Sequence, residues 1–563
     1  MDPITRTCDF IRPSRRRRHR AAAGLTIITA SLLAAPLAAQ ANVADTSEVE
    51  QSATQPSDDA VAAYLRARAA DADGRVVLAA GDYDAALRGT AADPIVAIRA
   101  YREAVRAGDY PLADHAAAIL AARDVLPSDA PLLALAAAAR ANDRAAIARA
   151  LAALDATPLK ILSAPLRAWA ALDGGDDPLA ALAAQPADTV ARRLAQETRA
   201  LILLVQGRTQ DGLAALRPLL GNDQSSNDTR IAAARLLIAR GQKASARALL
   251  VGDAPPIVAL RERPRARVTP GLAFGLSWLL TRVASDLAAG KPSGIGYTLV
   301  QAALRADFSN DRARLLLAGA LFKEGATDRA LAVLDQVDRR GIYAEPASAG
   351  RVQILAEAGR SEEALRLAKP LAAARDAAPG AQQQLADLYL RLDRPREAVP
   401  IYRRLAERAG ADWSDWLQYG AALDRAGDWP AARVALEQAY ARAPDQPLVL
   451  NYLGYALTEH GERLADARAM LERANRLRPD DAAIADSLGW SLFRAGEQAR
   501  ALALIERAAA ADPTNAEIGE HLGDVYWTAG RRYEARYAWT AARATAETPE
   551  VAARLSGKIA NGM

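Results

Sequence analysis

Four glycines, Gly420, Gly454, Gly489 and Gly523, recur at steps of 34, 35 and 34 residues, and their surroundings recur with them. Each is followed by a turn glycine (Gly427, Gly461, Gly496, Gly530) and then by a small residue (Ala432, Ala467, Ala501, Ala535). A large apolar residue comes four positions later (Leu436, Leu471, Ile505, Trp539), then another alanine (Ala439, Ala474, Ala508, Ala542). Three of the four blocks close on proline, at Pro444, Pro479 and Pro513. Self-similarity at this period marks a repeat array. Small residues let two antiparallel helices approach closely, and the large residue one turn on fills the groove between them. Glycine supplies a left-handed helix end and proline stops the second helix. No such pair can bury its apolar face alone, so each must stack on the next.

The block from glycine to proline, in register four times over 412–542, resembles the tetratricopeptide repeat (TPR) family. The resemblance implies an all-α, TPR-type α-solenoid of antiparallel helix pairs wound into a superhelix, with roughly 12–14 repeats. Counting back by 34 places the Gly420 equivalents at Ala386, Val352, Ala318 and Ala284, with turns at Gly359 and Gly325 and small residues at Ala398, Ala364 and Ala330. The amino-terminal half is less regular. Turns are expected there at Gly108, Asn142, Gly174, Gly207 and Gly241, with Ala113 and Ala246 in the small position and Ile147 departing from it.

The predicted organisation is a leader over 1–41, a flexible tether over 42–59 and diverged repeats over 60–250. A Pro/Arg-rich linker (251–270), a regular array (271–546) and a capping helix (547–563) follow. The leader reading rests on Arg12, Arg15 to Arg18 and Arg20, followed by an apolar run and Ala39-Gln40-Ala41 as a small-x-small cleavage site. General secretion into the periplasm is expected rather than the twin-arginine route. An uncleaved anchor is the alternative, its apolar run being at the short end for spanning. Pro255, Pro256, Pro264 and Pro270 exclude a regular helix through the linker.

Removing the leader takes seven arginines against Asp2 and Asp9, leaving 64 basic and 65 acidic residues. No basic footprint for nucleic acid then remains. Cys8, the one cysteine, leaves too, so the mature chain has no thiol nucleophile or lipid-attachment site. The four histidines, His19, His115, His460 and His521, show no metal-ligand spacing. Gly294-Ile295-Gly296 lacks the third glycine of a nucleotide fingerprint and reads as a turn. No enzyme, cofactor or metal is expected.

What remains is surface. The TPR resemblance implies that the first helix of each pair lines a concave groove. Candidate peptide-binding residues on that face are Asn451, Tyr455 and Thr458; Asp486, Trp490 and Phe493; Glu520, Asp524 and Trp527; and, upstream, Gln383 and Asp387. Aromatics interleaved with acids and amides suit an extended peptide. Trp416 and Trp539 are expected between helices, whereas Trp490 and Trp527 either stack on the neighbouring pair or face the groove.

The layout of leader, diverged helical half and blocks such as Asn451-Tyr452-Leu453-Gly454-Tyr455 and Asp486-Ser487-Leu488-Gly489-Trp490 resembles bacterial periplasmic TPR proteins. The best-understood of these are adaptors that bind a carboxy-terminal processing protease and deliver cell-wall hydrolases to it. This chain departs from those lipoproteins in having no cysteine after its leader, so membrane association would come through an uncleaved leader or a partner. The expected partners are therefore proteins or peptides, the specific reading being a protease adaptor. The alternative is a structural component of an envelope assembly or polysaccharide-export machine.

Overall fold

The computed structural model describes residues 58–563, apart from 90–92, 185, 289, 291–292, 375–376, 378 and 547. The leader and all of the tether up to residue 57 lie outside the described residues. Every element among the described residues is helical: 29 α-helices and three short 3-10 segments, with no strand. None of these helices is long and apolar enough to cross a membrane. The chain divides into two compact units, one ending at Ile354 and one running from Leu355 to Met563.

The first unit opens on the hairpins α1 (Asp58–Ala72) with α2 (Val76–Arg88), α3 (Pro94–Ala107) with α4 (Tyr110–Ala121), and α5 (Ala130–Ala141) with α6 (Arg144–Asp155). Asp58 and Asp59, assigned to the tether from sequence, instead begin α1, where carboxylates favour the positive end of the helix dipole. Next come α7 (Ser163–Gly174), α8 (Thr189–Val205) with α9 (Thr209–Leu216), and α10 (Gln224–Ala239) with α11 (Lys243–Leu249). Gly108, Asn142, Gly207 and Gly241 occupy left-handed turns as expected. In the remaining turn the left-handed residue is Gly175, Gly174 being the last residue of α7.

The proline-rich stretch holds a helix after all, α12 (Pro255–Glu262). Pro255 and Pro256 sit in its first turn, where a missing N–H costs nothing, and Ile257 and Leu260 are buried. The first unit continues through this segment, with α13 (Leu272–Leu287) and α14 (Gly294–Ala306) folding back onto earlier helices. α14 packs on α3 and α5, and α13 packs on α5, α7 and α10. Gly275 leaves no room for a Cβ beside the buried Trp169 indole, and Phe274 meets that ring edge-on at 5.7 Å. Gly294 to Gly296, read from sequence as a turn, form the first turn of α14, with Ser293 accepting from the Gly296 amide. Inside the unit, Arg282 of α13 lies against Glu197 of α8, both nearly buried. The unit closes with α15 (Asp311–Lys323) and α16 (Thr327–Asp335), and the division falls within α17 (Ala344–Glu357).

The second unit continues with α18 (Ser361–Ala373) and α19 (Pro379–Arg391) with α20 (Pro395–Ala406). Four regular hairpins follow: α21 (Trp413–Arg425) with α22 (Trp429–Arg442), α23 (Pro447–Glu459) with α24 (Leu464–Leu477), α25 (Ala482–Arg494) with α26 (Gln498–Ala511), and α27 (Ala516–Thr528) with α28 (Arg532–Ala544). Helix α29 (Pro549–Asn561) packs on α28. Each hairpin contacts chiefly the hairpins before and after it, as in a stacked array.

The repeat signature is a packing code. All twelve small and large signature residues of α22, α24, α26 and α28 are buried. The four glycines are where the paired helices cross. A Cβ on Gly420 would lie 2.7 Å from Leu436 Cγ, one on Gly454 2.8 Å from Leu471 Cγ, and one on Gly489 2.6 Å from Ile505 Cγ1. On Gly523 it would run into the Trp539 indole. The positions counted back from this register, Ala386, Val352, Ala318 and Ala284, are buried as well.

Candidate peptide-binding face

The first helices of the regular hairpins, α21, α23, α25 and α27, stand side by side. Tyr455 on α23 donates from its hydroxyl to Glu517 Oε1 on α27 at 2.7 Å, reaching past the intervening hairpin. Such a bond between elements two repeats apart forms only on the shorter, inner arc of a curved stack. The inner face therefore carries Tyr455, Trp490 and the residues beside them.

At its centre, Trp490 on α25 donates its indole N–H to Glu459 Oε1 of α23 at 2.7 Å. Its ring lies flat on the His521 imidazole of α27, centroids 4.0 Å apart and planes 13° from parallel. Phe493 leans on the same indole at 5.2 Å. His521 Nδ1 is 2.9 Å from Asp486 Oδ2, and both side chains are buried. Burial alone would lower the imidazole pKa, but the Asp486 carboxylate overrides it and holds the group up at about 9. The imidazolium is thus the form set between carboxylate and ring.

The carboxylates expected on this face do other work. Asp387 (α19) is buried against the Tyr402 hydroxyl of α20; burial raises its pKa to about 7, although that hydrogen bond opposes the shift. Asp486 is taken up by His521. Glu520 accepts from Arg554 at 2.7 Å and lies 2.8 Å from Lys558, and Asp524 accepts from Lys558 at 2.6 Å and from the Trp539 indole at 2.9 Å. These positions face the adjoining helix, where an ionised group is tolerated only when paired. Thr458 is buried too, its hydroxyl donating to the Gly454 carbonyl one turn back. Trp527 is turned toward the end of the unit, beneath Arg532 and Arg536 and against Gly562 beyond α29.

Of the expected residues, Gln383, Asn451, Tyr455, Trp490 and Phe493 keep part of their surface in solvent without being consumed in the stack in this way. Asn451 Oδ1 has no hydrogen-bond partner. Sequence reasoning missed Glu459, Arg494, Glu517 and His521. Glu459 and Arg494 follow Tyr455 and Trp490 by four residues, on the same helical faces, and that spacing was the available signal. Among the described residues no cluster of three or more metal-ligating side chains occurs.

Residues 413–456, which are α21, α22 and most of α23, match the tetratricopeptide repeat family model. That stretch is similar to a tetratricopeptide repeat. Repeats of this kind generally mediate protein–protein interaction, and no enzyme family is indicated. No curated protein matches the sequence. Among solved structures, a tetratricopeptide repeat protein from Parabacteroides merdae ATCC 43184 is 14% identical with a TM-score of 0.39, covering 45% of this chain and 99% of that one. MamA from Desulfovibrio magneticus RS-1 is 20% identical with a TM-score of 0.26, covering 30% of this chain and 94% of its own. The APC/C hetero-tetramer Cut9-Hcn1 structure is 15% identical with a TM-score of 0.35, covering 89% of this chain and 90% of that one.

Proposed function

We propose that the chain is an exported, non-enzymatic scaffold that holds an extended segment of a partner protein along the inner face of its regular repeats. One observation carries this reading: half-buried rings of Tyr455, Trp490 and Phe493 lie on that face, the Tyr455 hydroxyl held by Glu517, the Trp490 indole N–H held by Glu459 and Phe493 leaning on that indole. Rigid aromatics with fixed tips bury ligand surface at little entropic cost, the usual character of binding hot spots.

The basic, apolar-cored leader of the sequence supports export into the cell envelope, and the layout of the repeats supports an adaptor for a periplasmic carboxy-terminal processing protease. Affinity purification of the full chain from its native envelope should recover such a protease together with a substrate hydrolase. A paired Tyr455→Ala, Glu459→Ala variant should lose them while melting normally. Recovery of neither from the unaltered chain would end the adaptor reading. Co-fractionation with an outer-membrane complex instead would favour a structural role in envelope assembly or polysaccharide export.

A further inference from the structure

Between α12 and α13 the first unit carries a non-helical stretch, 264–270. It opens at Pro264, across which the Arg265 N–H donates to the Arg263 carbonyl at 2.7 Å, a tight turn common at strand ends. From there exposure alternates. Arg265, Arg267 and Thr269 stand in solvent, whereas Ala266 and Val268 are half-buried and rest on the unit's apolar core. A period of two is the mark of an extended chain with one side packed and the other free.

Both ends of the stretch are fastened. At the entry, Arg261 donates to the Leu250 and Gly252 carbonyls at 2.9 Å each. At the exit, the Leu272 amide donates to Asp173 Oδ2 at 2.8 Å, and a Cβ on Gly271 would lie 2.6 Å from Asp173 Oδ1. In between, the backbone N–H and C=O groups of Ala266, Arg267, Val268 and Thr269 make no hydrogen bond with any described residue. An extended segment in that state is an edge strand without a neighbour. The exposed guanidiniums of Arg263, Arg265 and Arg267 likewise have no carboxylate within ion-pair distance among the described residues.

We propose that this segment pairs, strand to strand, with an acidic extended segment of a partner protein. The partner's backbone completes the ladder that 266–269 leave open, and its carboxylates meet Arg265 and Arg267, with Arg263 beyond the turn. Alternate residues of a strand recur about every 7 Å on one side, so this row of guanidiniums selects carboxylates at every second residue and not in a run. Nucleic acids and lipid headgroups supply anions but no matching row of amide N–H and C=O groups. A second copy of the segment would set arginines opposite arginines, and like charges directly opposite repel. Because both ends are already held, little ordering is left to oppose the pairing.

The test is calorimetry on the full chain with a peptide capped at both ends, Thr-Glu-Val-Glu-Val-Glu-Thr. It is compared with Thr-Val-Glu-Glu-Glu-Val-Thr, of equal composition, and with the version carrying lysine in place of glutamate. The alternating peptide should bind one-to-one and saturably, tighter than the run by about tenfold or more. The lysine version should not bind. The double variant Arg265→Glu, Arg267→Glu, which alters exposed side chains alone, should reverse the choice between the glutamate and lysine peptides. Hydrogen exchange at 266–269 should slow on binding, because ladder bonds protect the amides. No binding of the alternating peptide up to about 1 mM, equal binding of the run, or unchanged exchange at 266–269 overturns the proposal. Capture of phosphatidylglycerol vesicles through the same arginines, without peptide binding, overturns it in favour of a lipid surface.

Discussion

The His521 imidazole is held between the Trp490 indole, 4.0 Å away, and the Asp486 carboxylate, 2.9 Å away. This couples the last regular repeat to the one before it through a single charge. The folded pKa, about 9, lies above the ordinary value of 6.5. A raised histidine pKa stabilises the folded state fully below pH 6.5, and the contribution fades as pH rises through about 9. The shift corresponds to roughly 3 kcal/mol at most. Selective NMR of the histidine ring protons should show His521 titrating near pH 9, and Asp486→Asn should bring that midpoint below 6.5 while flattening the loss of stability between pH 7 and 9. An unshifted His521 titration in the unaltered chain would contradict the pairing.

Gly454 meets Leu471 too closely for any larger residue. A Cβ there would also sit 2.9 Å from the Ala467 carbonyl oxygen, which is backbone and cannot swing away. Gly454→Ala should cost about 1–3 kcal/mol in urea unfolding. Leu471→Ala in the same chain should recover only part of it, because the backbone contact persists. A neutral Gly454→Ala would mean that the hairpin crosses elsewhere.

Trp539 is wholly buried and its indole N–H serves Asp524. Trp539→Ala should lower stability by roughly 3–5 kcal/mol, through the cavity and through a buried carboxylate deprived of a donor. Trp539→Phe keeps most of the volume but not the donor, so calorimetric melting of the two variants separates the contributions.

Helix α29 is fastened by Arg554 and Lys558 to Glu520 and Asp524 of α27. Burial would raise the Glu520 pKa, but the two cations override it and hold it at about 2. A depressed carboxylate pKa stabilises fully above the ordinary 4.5, and this stabilisation is lost as pH falls toward 2. Hydrogen exchange of 549–561 should therefore stay slow at pH 5 and quicken below about pH 3. Lys558→Ala should quicken it already at pH 7, and unchanged exchange in that variant would show that apolar contact alone seats the helix. Trp527→Ala, by the same geometry, should loosen this end of the unit rather than impair peptide capture.

The regular hairpins were legible because their code is local. Gly454 and Leu471 are 17 residues apart, and a crossing between sequential helices repeats the same residue types at the same spacing. The positions counted back to Ala284 stayed legible for the same reason, since a close crossing admits only small side chains. The candidate face was half legible. Helical periodicity placed Asn451, Tyr455, Trp490 and Phe493 on one side of their helices, but could not tell a side chain facing solvent from one facing the next repeat.

That distinction belongs to the tertiary structure. Asp486 and Glu520 look like ligand-facing acids in sequence, yet their partners, His521 and Lys558, lie 35 and 38 residues away, and only the angle between successive helices brings them together. The return of α13 and α14 onto α3, α5 and α7 was equally hidden, because contacts such as that of Gly275 with Trp169 join residues over a hundred positions apart and leave no period in the chain. The sequence by itself determined that this protein is built from helical hairpins and which residues sit at their crossings, since those contacts are made between neighbours. Which polar groups remain for a partner, and which side of the stretch after α12 is left open, depended on how distant helices meet, because burial and charge pairing are properties of the packed molecule.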